Sequence, residues 1–191
     1  MNIVVLLKAV PVVGTERLDS DLLTDRSGAS EANGNDEYLL EKALKLTEEH
    51  GGEVTLLTVG PAAGTEALRK ALAMGASRAV HVVDDALRGS DIRATVDVLA
   101  AALKKLEYDL VFAGADTSDG LGGVVGAALA ARLGLPYLSY ASEIAPSDGG
   151  VRVNRLSASG YDVLEAPTPA LVMGTQLLGA PRERSTWPTM R

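Results

Sequence analysis

The chain has 191 residues, of which 47% are hydrophobic, 25 are acidic and 18 are basic, so its formal net charge is −7. This length suits one α/β domain with a sizeable core, and the acidic balance argues against a nucleic-acid partner, which needs a basic face for the phosphates. Because cysteine is absent, disulfides, thiolate nucleophiles and iron–sulfur clusters are excluded, and any redox role needs a bound cofactor.

The sequence also lacks the signals of a membrane or secreted protein. No run of about 18 apolar residues occurs, and the first residues carry neither a basic segment nor a small-residue cleavage site. We therefore expect a soluble, cytoplasmic protein without a membrane partner.

Strand and helix patterns alternate from the first residues onward. Ile3–Leu7 is an uninterrupted apolar run, typical of a central strand in a parallel sheet. The polar segment 14–34 has no period, and its length suggests a functional lid or a partner surface. A stripe of leucines predicts a helix over 36–50, which Gly51-Gly52 separates from a strand over 53–59.

The segment Val59–Val83 combines a turn, a helix, a glycine break and a strand. Gly60-Pro61 ends the preceding strand, and Thr65 is a candidate cap for the helix that follows. Gly75 can take the left-handed conformation that closes a helix, and the β-branched run Ala79–Val83 predicts the next strand.

The pattern then continues through one further helix, strand and helix. Ser90 or Asp91 is predicted to cap a helix that extends through Leu106, a buried strand follows over 110–113, and a small-residue helix follows over 121–133. Because crossovers between parallel strands are right-handed, this order predicts an open parallel sheet with helices on both faces.

The last third of the chain changes to short strands with tight links. We predict four strands there, interpreted as antiparallel additions at one edge of the sheet: Tyr137–Ala145, Val151–Leu156, Tyr161–Glu165 and Ala170–Gly174. The predicted fold is thus a three-layer α/β/α, mainly parallel open sheet, Rossmann-like or adenine nucleotide alpha hydrolase-like. Residues 1–177 form one nucleotide-binding domain in this interpretation, and residues 178–191 form an extended tail.

Three segments are expected to meet at one edge of this sheet. In open parallel sheets ligands bind outside the carboxyl ends of the strands, which here lead into Lys8–Val10, Val59–Pro61 and Gly114–Gly126. The last segment is rich in glycine, carries the hydroxyls of Thr117 and Ser118, and opens a helix whose N–H groups suit a phosphate. Glycine-rich turns also serve packing, so the loop alone leaves both interpretations open.

Other chemistries find little support in the sequence. Asp116 and Asp119 lack a third nearby carboxylate, which favours turn or helix capping over metal binding. Neither a catalytic triad nor an acid–base pair is evident, and Ser157–Gly160 does not match the nucleophile elbow of a hydrolase. The pattern favours a carrier or a binding protein.

Several segments together resemble the β subunits of the electron-transfer flavoproteins. That family carries K-x-V-P after its first strand, an N-P-x-D-E-x-A-L-E-x-A segment, a G-P…R-x-A-L-A-M-G-A…A-x-H-V segment, a late P-A pair and E-P-R. The matching positions here are Lys8–Pro11, 33–43, 59–83, Pro169–Val172 and Ala180–Arg182.

The resemblance implies an electron carrier. A β subunit of this family pairs with an α subunit that holds most of a redox-active FAD, while the β chain binds AMP or a second FAD. Electrons arrive from flavin dehydrogenases and leave towards a quinone reductase-type acceptor, with no acid, base or nucleophile required. The positions that match the family's nucleotide contacts are Leu6, Lys8, Asn33, Val59, Gly60, Asp119, Gly120, Gly122, Gly123, Val124, Val125 and Gly126.

Some positions depart from the family pattern. Family members that bind AMP have polar N-Q-T side chains where this chain has Gly123, Val124 and Val125, which leaves phosphate contacts to backbone N–H groups. AMP, FAD and no nucleotide therefore stay open, and the alternative is a stand-alone adenine-nucleotide-binding regulatory domain without redox activity. The sequence given ends at Arg191, before the family's C-terminal arm. Trp187 is either an anchor for docking dehydrogenases or a side chain that folds back on its own domain.

Overall fold

The structure is a computed structural model that describes residues 1–182. Its strands are β1 (Ile3–Leu6), β2 (Ala9–Pro11), β3 (Ser30–Ala32), β4 (Val54–Val59), β5 (Arg78–Val82), β6 (Leu110–Gly114), β7 (Tyr137–Ser147), β8 (Gly150–Ser157), β9 (Gly160–Pro167) and β10 (Ala170–Gly174). Its α-helices are α1 (Gly34–His50), α2 (Thr65–Leu72), α3 (Ile92–Leu103) and α4 (Val125–Leu133).

Eight of the strands form one sheet in the order β5-β4-β1-β6-β10-β7-β8-β9. The apolar run of β1 lies in its middle, parallel to β4 on one side and β6 on the other, with Ile3 opposite both Val54 and Leu110. A strand in this position is covered on both faces, which explains why its sequence has no polar alternation.

Helices cover both faces of the sheet. Ile3 and Val5 point to the face where α1 and α2 pack, and together they form one hydrophobic cluster. Val4 and Leu6 point to the opposite face and form a second cluster with α3 and α4. Successive residues of a strand alternate between faces, so one apolar strand supplies both cores. The predicted three-layer α/β/α arrangement is confirmed.

The predicted antiparallel placement of 170–174 was wrong. β10 lies inside the sheet and runs parallel to both β6 and β7, with Val172 opposite Phe112 and Leu138. All five of its residues are buried, which is the pattern of a central parallel strand. Antiparallel pairing occurs where the second half of β7 joins β8, and where β8 joins the edge strand β9.

Helix starts differ in detail from the predictions. Thr65 does not cap α2: it is the first helical residue, and its Oγ1 donates to the carbonyl of Ala62 at 2.7 Å. Asp91 caps α3 as expected, because its Oδ1 accepts from the N–H of Ala94 at 2.8 Å. The predicted helix over 121–133 begins only at Val125, which leaves residues 121–124 in the loop after β6.

The polar segment after β1 contains a short strand pair that the sequence did not reveal. β2 and β3 pair antiparallel, with Val10 opposite Glu31, and they bracket residues 12–29, which we call the 12–29 excursion.

At the other end of the described chain, Arg182 Nε donates to Glu41 at 2.7 Å and fixes Arg182 to α1. The predicted tail beyond it, with Trp187, lies outside the described residues. None of the helices within 1–182 is long and apolar enough to cross a membrane.

The position of β10 has a measurable consequence for stability. Leu171 is fully buried, whereas Leu156 on β8 is 46% exposed. We expect Leu171→Ala to lower the free energy of unfolding by about 2–5 kcal/mol and Leu156→Ala by less than about 1 kcal/mol. Urea denaturation of both variants measures this, and equal losses would contradict the central placement of β10.

Candidate functional site

The loops after β1 and β6 meet at the carboxyl edge of the sheet, because these two strands are neighbours. Lys8 follows β1, and its Nζ lies 2.8 Å from Asp119 Oδ1 and donates to Thr117 Oγ1 at 3.3 Å. Asp119 and Thr117 belong to the glycine-rich loop after β6. The first and third segments that the sequence predicts to converge therefore do so.

Asn33 ties the same loop to the start of α1. Its side chain is buried, with Nδ2 donating to the carbonyl of Asp116 at 2.8 Å and Oδ1 accepting from the N–H of Ser118 at 3.2 Å. Its own N–H donates to the carbonyl of Lys8 at 2.9 Å. The side-chain amide and the backbone N–H of this one residue therefore hold the loops after β6 and β1 together, and the side chain does not cap α1.

Asp36 lies beneath these contacts in the first turn of α1. Its carboxylate is buried and accepts from the N–H of Lys8 at 2.8 Å. Burial raises the pKa of Asp36 to about 7, although the N–H groups of Lys8 and Gly114 and the Asn33 side chain oppose the rise. A Cβ at Gly114 would overlap the Asp36 carboxylate, so the end of β6 needs glycine there.

Asp119 is clamped between two cations. Arg26, from the 12–29 excursion, places a guanidinium nitrogen 2.6 Å from Asp119 Oδ2, on the other side from Lys8. The Asp119 side chain is only 2% exposed. Burial alone would raise its pKa, but hydrogen bonds from Lys8, Thr117 and Arg26 outweigh burial and hold the pKa at about 2. The expectation that Asp119 caps a turn or helix was wrong, since ion pairs occupy it.

The second predicted segment lies at the same edge of the sheet and makes its hydrogen bonds with other partners than the glycine-rich loop. Gly60 follows β4, donates its N–H to the carbonyl of Val82 at 3.1 Å, and has its own carbonyl 3.1 Å from His81 Nε2. Thr58 Oγ1 donates to the carbonyl of Leu7, which links β4 to the end of β1. Within residues 1–182, neither a hydrogen bond nor an ion pair joins Val59 or Gly60 to residues 114–126.

The glycines of the loop after β6 have different surroundings. A Cβ at Gly120 would lie 3.8 Å from Lys8 Nζ, so this glycine lies beside the ion pair. Gly122 is turned towards Ile92 of α3, and Gly123 has a φ of 62°, which favours glycine.

The remaining predicted contact residues divide between core and surface. Gly126 is packed against Ala113 and Tyr137, so close helix–sheet packing explains it. Leu6 and Val125 contribute to the hydrophobic cluster on the same face, whereas Val124 is 48% exposed just before α4. The structure therefore brings Lys8, Asn33, Asp119 and Gly120 into one group, and leaves Leu6, Val125 and Gly126 in the core.

Sequence reasoning missed two members of this group, Arg26 and Asp36. Arg26 lies in an aperiodic segment and meets a residue 93 positions away, so no local pattern marks it. Asp36 had a signal, because it is an acidic residue just before a strongly apolar helical stripe and falls inside the 33–43 match.

A separate groove of about 830 Å³ lies between α3 and α4, where Asp97, Arg93 and Arg132 are among the lining residues. It includes none of the grouped residues. Among residues 1–182, His, Asp and Glu side chains do not gather in threes in a way that could hold a metal ion.

Comparison with known proteins identifies the family. The profile of the electron transfer flavoprotein domain matches residues 21–178. The electron transfer flavoprotein subunit beta of Mycobacterium leprae is 42% identical over 190 residues, which cover 95% of this chain and 71% of that protein. The corresponding subunit of Clostridium acetobutylicum is 38% identical over 187 residues, covering 97% and 72%. Subunit CarD of the caffeyl-CoA reductase-Etf complex of Acetobacterium woodii is 38% identical over 189 residues, with the same coverage.

A match of this extent shows that the chain belongs to the electron transfer flavoprotein family. The open parallel sheet agrees with that class, and the relatives specify the type within it. This chain is a β-type subunit.

The contact between Gly114 and Asp36 predicts a steric effect. Gly114→Ala adds a Cβ that meets the Asp36 carboxylate and lies 3.0 Å from Asn35 Cβ. We expect the free energy of unfolding to fall by about 1–3 kcal/mol. Gly28→Ala is the control, because nothing lies within 4 Å of a Cβ there. Urea denaturation compares the two, and equal stabilities would contradict the close approach.

Asp36 predicts a pH dependence of stability. Its folded-state pKa of about 7 exceeds its ordinary value of 3.8, so the folded state binds the extra proton between these values. The contribution of the Asp36 proton to stability is complete below pH 3.8 and is lost as the pH rises through about 7. Between about pH 5 and about pH 8 we expect the wild type to lose up to a few kcal/mol relative to Asp36→Asn. Asp148→Asn, in the β7–β8 turn, controls for the loss of one charge, and parallel curves for wild type and Asp36→Asn would refute the assignment.

Proposed function

We propose that this β-type subunit works as half of a heterodimeric electron carrier, with an α subunit that holds FAD, and that its strand-end edge binds AMP or a second FAD. The observation that carries the proposal is the meeting of Lys8, Asn33 and the glycine-rich loop at the carboxyl edge of a parallel sheet. This is the edge at which open α/β sheets bind ligands.

The donor groups at this edge fit a nucleotide phosphate. The Lys8 ammonium has three N–H donors, and Thr117 and Asp119 accept from two of them. The Arg26 guanidinium has five, and its contacts are the carbonyl of Ala9 at 3.1 Å and Asp119. The loop beside them has no side chain at Gly120, and the first N–H groups of α4 follow it.

The chain's own residues would bind and orient the nucleotide. We assign phosphate contacts to Lys8 and the backbone of 119–126, and contacts to the rest of the nucleotide to Val59 and Gly60 one strand away. Gly60 supports this, because a Cβ there would have nothing within 4 Å, so the backbone is open to close approach. A bound flavin supplies the redox chemistry of such a carrier, for which the protein provides position and electrostatics.

Partners are proposed at the level of chemical class. The Acetobacterium woodii relative is named as a subunit of a caffeyl-CoA reductase-Etf complex, which supports assembly with a dehydrogenase or reductase. We propose that flavin dehydrogenases supply the electrons and that a quinone reductase-type protein accepts them.

The direct test is co-expression with an α-type electron transfer flavoprotein subunit. We expect a stable heterodimer with a flavin absorption spectrum, and release of AMP or additional FAD when the protein is denatured and analysed by mass spectrometry. A colourless complex, or no complex at all, would contradict the carrier role. A complex that contains FAD only in the α subunit's amount, with no further nucleotide, would contradict the adenylate site on this chain.

Lys8 provides a residue-level test. Lys8→Gln removes the cation nearest the loop, so we expect the Kd for the released nucleotide to rise about tenfold, as measured by calorimetric titration of the heterodimer. Lys105→Gln, an exposed lysine just after α3, is the control and should leave Kd unchanged. Unaltered affinity of Lys8→Gln would exclude a phosphate contact by Lys8.

A further inference from the structure

Both cations at the candidate site are already paired with one carboxylate of the chain itself, which offsets one of their two positive charges. The two carboxylate oxygens of Asp119 each meet one cation, with Oδ1 on Lys8 at 2.8 Å and Oδ2 on Arg26 at 2.6 Å. Two oxygens shared between an ammonium and a guanidinium are also the arrangement in which these groups bind a phosphate. The carboxylate therefore occupies one donor of each cation and offsets part of the positive charge that an anionic ligand would meet at the donors that are left.

The burial of the three groups shows which of them a ligand can reach. The Asp119 side chain is 2% exposed, whereas the Lys8 side chain is 38% exposed and the Arg26 side chain is 30% exposed. The cations are thus open to solvent on one side and bound to the carboxylate on the other. An arriving phosphate would contact Lys8 and Arg26 with a negative charge already directly behind them.

From this geometry, and resting on the proposed nucleotide site, we infer that Asp119 is a built-in counter-anion that competes with the ligand's phosphate for Lys8 and Arg26. Like charges that share two cations repel each other, so phosphate binding is weakened or the carboxylate withdraws. Asp119 thereby sets the affinity of the site and favours ligands with less negative charge on each phosphate. Each phosphate of the FAD pyrophosphate carries one negative charge, whereas the single monoester phosphate of AMP carries nearly two at neutral pH.

The loop around Asp119 has the backbone features of a segment that can rearrange. Leu121, two residues on, has a φ of 47° and is 73% exposed, a left-handed conformation that is unfavourable for leucine. Gly120 and Gly122 flank it, and glycine adopts alternative conformations at little cost. Release of Asp119 would allow Leu121 to leave this conformation.

Arg26 connects this competition to the 12–29 excursion. The excursion is fixed at another point by Arg88, whose guanidinium lies 2.7 Å from both Asp19 and Asp21. Those side chains are mostly well exposed, so their ion pairs contribute little stability. The Arg26–Asp119 ion pair is therefore more buried than the ion pairs of Arg88 with the excursion. A phosphate that replaced Asp119 as the partner of Arg26 would hold the excursion in its place.

The test is a neutral replacement of Asp119 in the heterodimer, with AMP, FAD and inorganic pyrophosphate as titrants. Asp119→Asn keeps the size of the side chain and frees both cations, so we expect about tenfold tighter AMP binding, a smaller gain for FAD and a steeper loss of affinity with salt. Asp162→Asn is the matched control, because Asp162 also pairs with an arginine, Arg155 at 2.7 Å, on the distant β8–β9 hairpin. We expect its Kd values to match those of the wild type.

The outcomes separate this inference from the proposed site. If the wild type binds nucleotide and Asp119→Asn binds it equally or more weakly, Asp119 only positions the loop and the inference is overturned. If the wild type binds neither AMP nor FAD, the proposed site fails. The inference is then decided by pyrophosphate, which Asp119→Asn must bind more tightly than the wild type. Circular dichroism checks the fold, and Asp119→Ser replaces Asp119→Asn if the latter does not fold.

Discussion

The hydrogen bonds of Asn33 are the constraint on which the candidate site depends. Its side chain binds the loop after β6 through the carbonyl of Asp116 at 2.8 Å and the N–H of Ser118 at 3.2 Å, and its backbone N–H binds the carbonyl of Lys8 after β1 at 2.9 Å. Because Asn33 directly precedes α1, which packs in the core through Leu39 and Leu40, the loop is positioned by the hydrophobic core and not only by its own surface contacts. Together with the contacts of Lys8 and Arg26, these bonds hold the glycine-rich loop in one place.

Two buried carboxylates at this edge show how strongly partners decide charge. Asp36 accepts hydrogen bonds from backbone N–H groups and from a side-chain amide, but burial outweighs them and raises its pKa to about 7. Asp119 has full positive charges on both sides, and its pKa is held at about 2. Burial penalises both charged forms. It prevails at Asp36, and it is outweighed at Asp119, where an ammonium and a guanidinium contact the carboxylate oxygens directly. The edge therefore combines Asp119, which is ionised at every physiological pH, with Asp36, which gains or loses its proton near pH 7.

The sequence predicted what depends on local pattern and missed what depends on distant contact. The β1 run and the leucine stripe of α1 are long and periodic enough to fix element type, and the resemblance located Lys8, Asn33 and the glycine-rich loop. The direction of β10 is not a local property, because it depends on pairing with β6 and β7, which are brought beside it only when the whole sheet forms. The three-residue strands β2 and β3 are too short to show a period, and the Arg26–Asp119 pair joins residues far apart in sequence.

The insertion of β10 between β6 and β7 also constrains how the chain can fold as it is synthesised. β6 and the first half of β7 are made before their common neighbour, so each has an open row of N–H and C=O groups until Gly174 has left the ribosome. During that interval two apolar strands of the nascent chain are available for wrong pairing with each other or with other chains. Among residues 1–182, the strand synthesised last is thus the one that joins β6 to β7, and the edges of both strands stay unpaired on that side until it emerges.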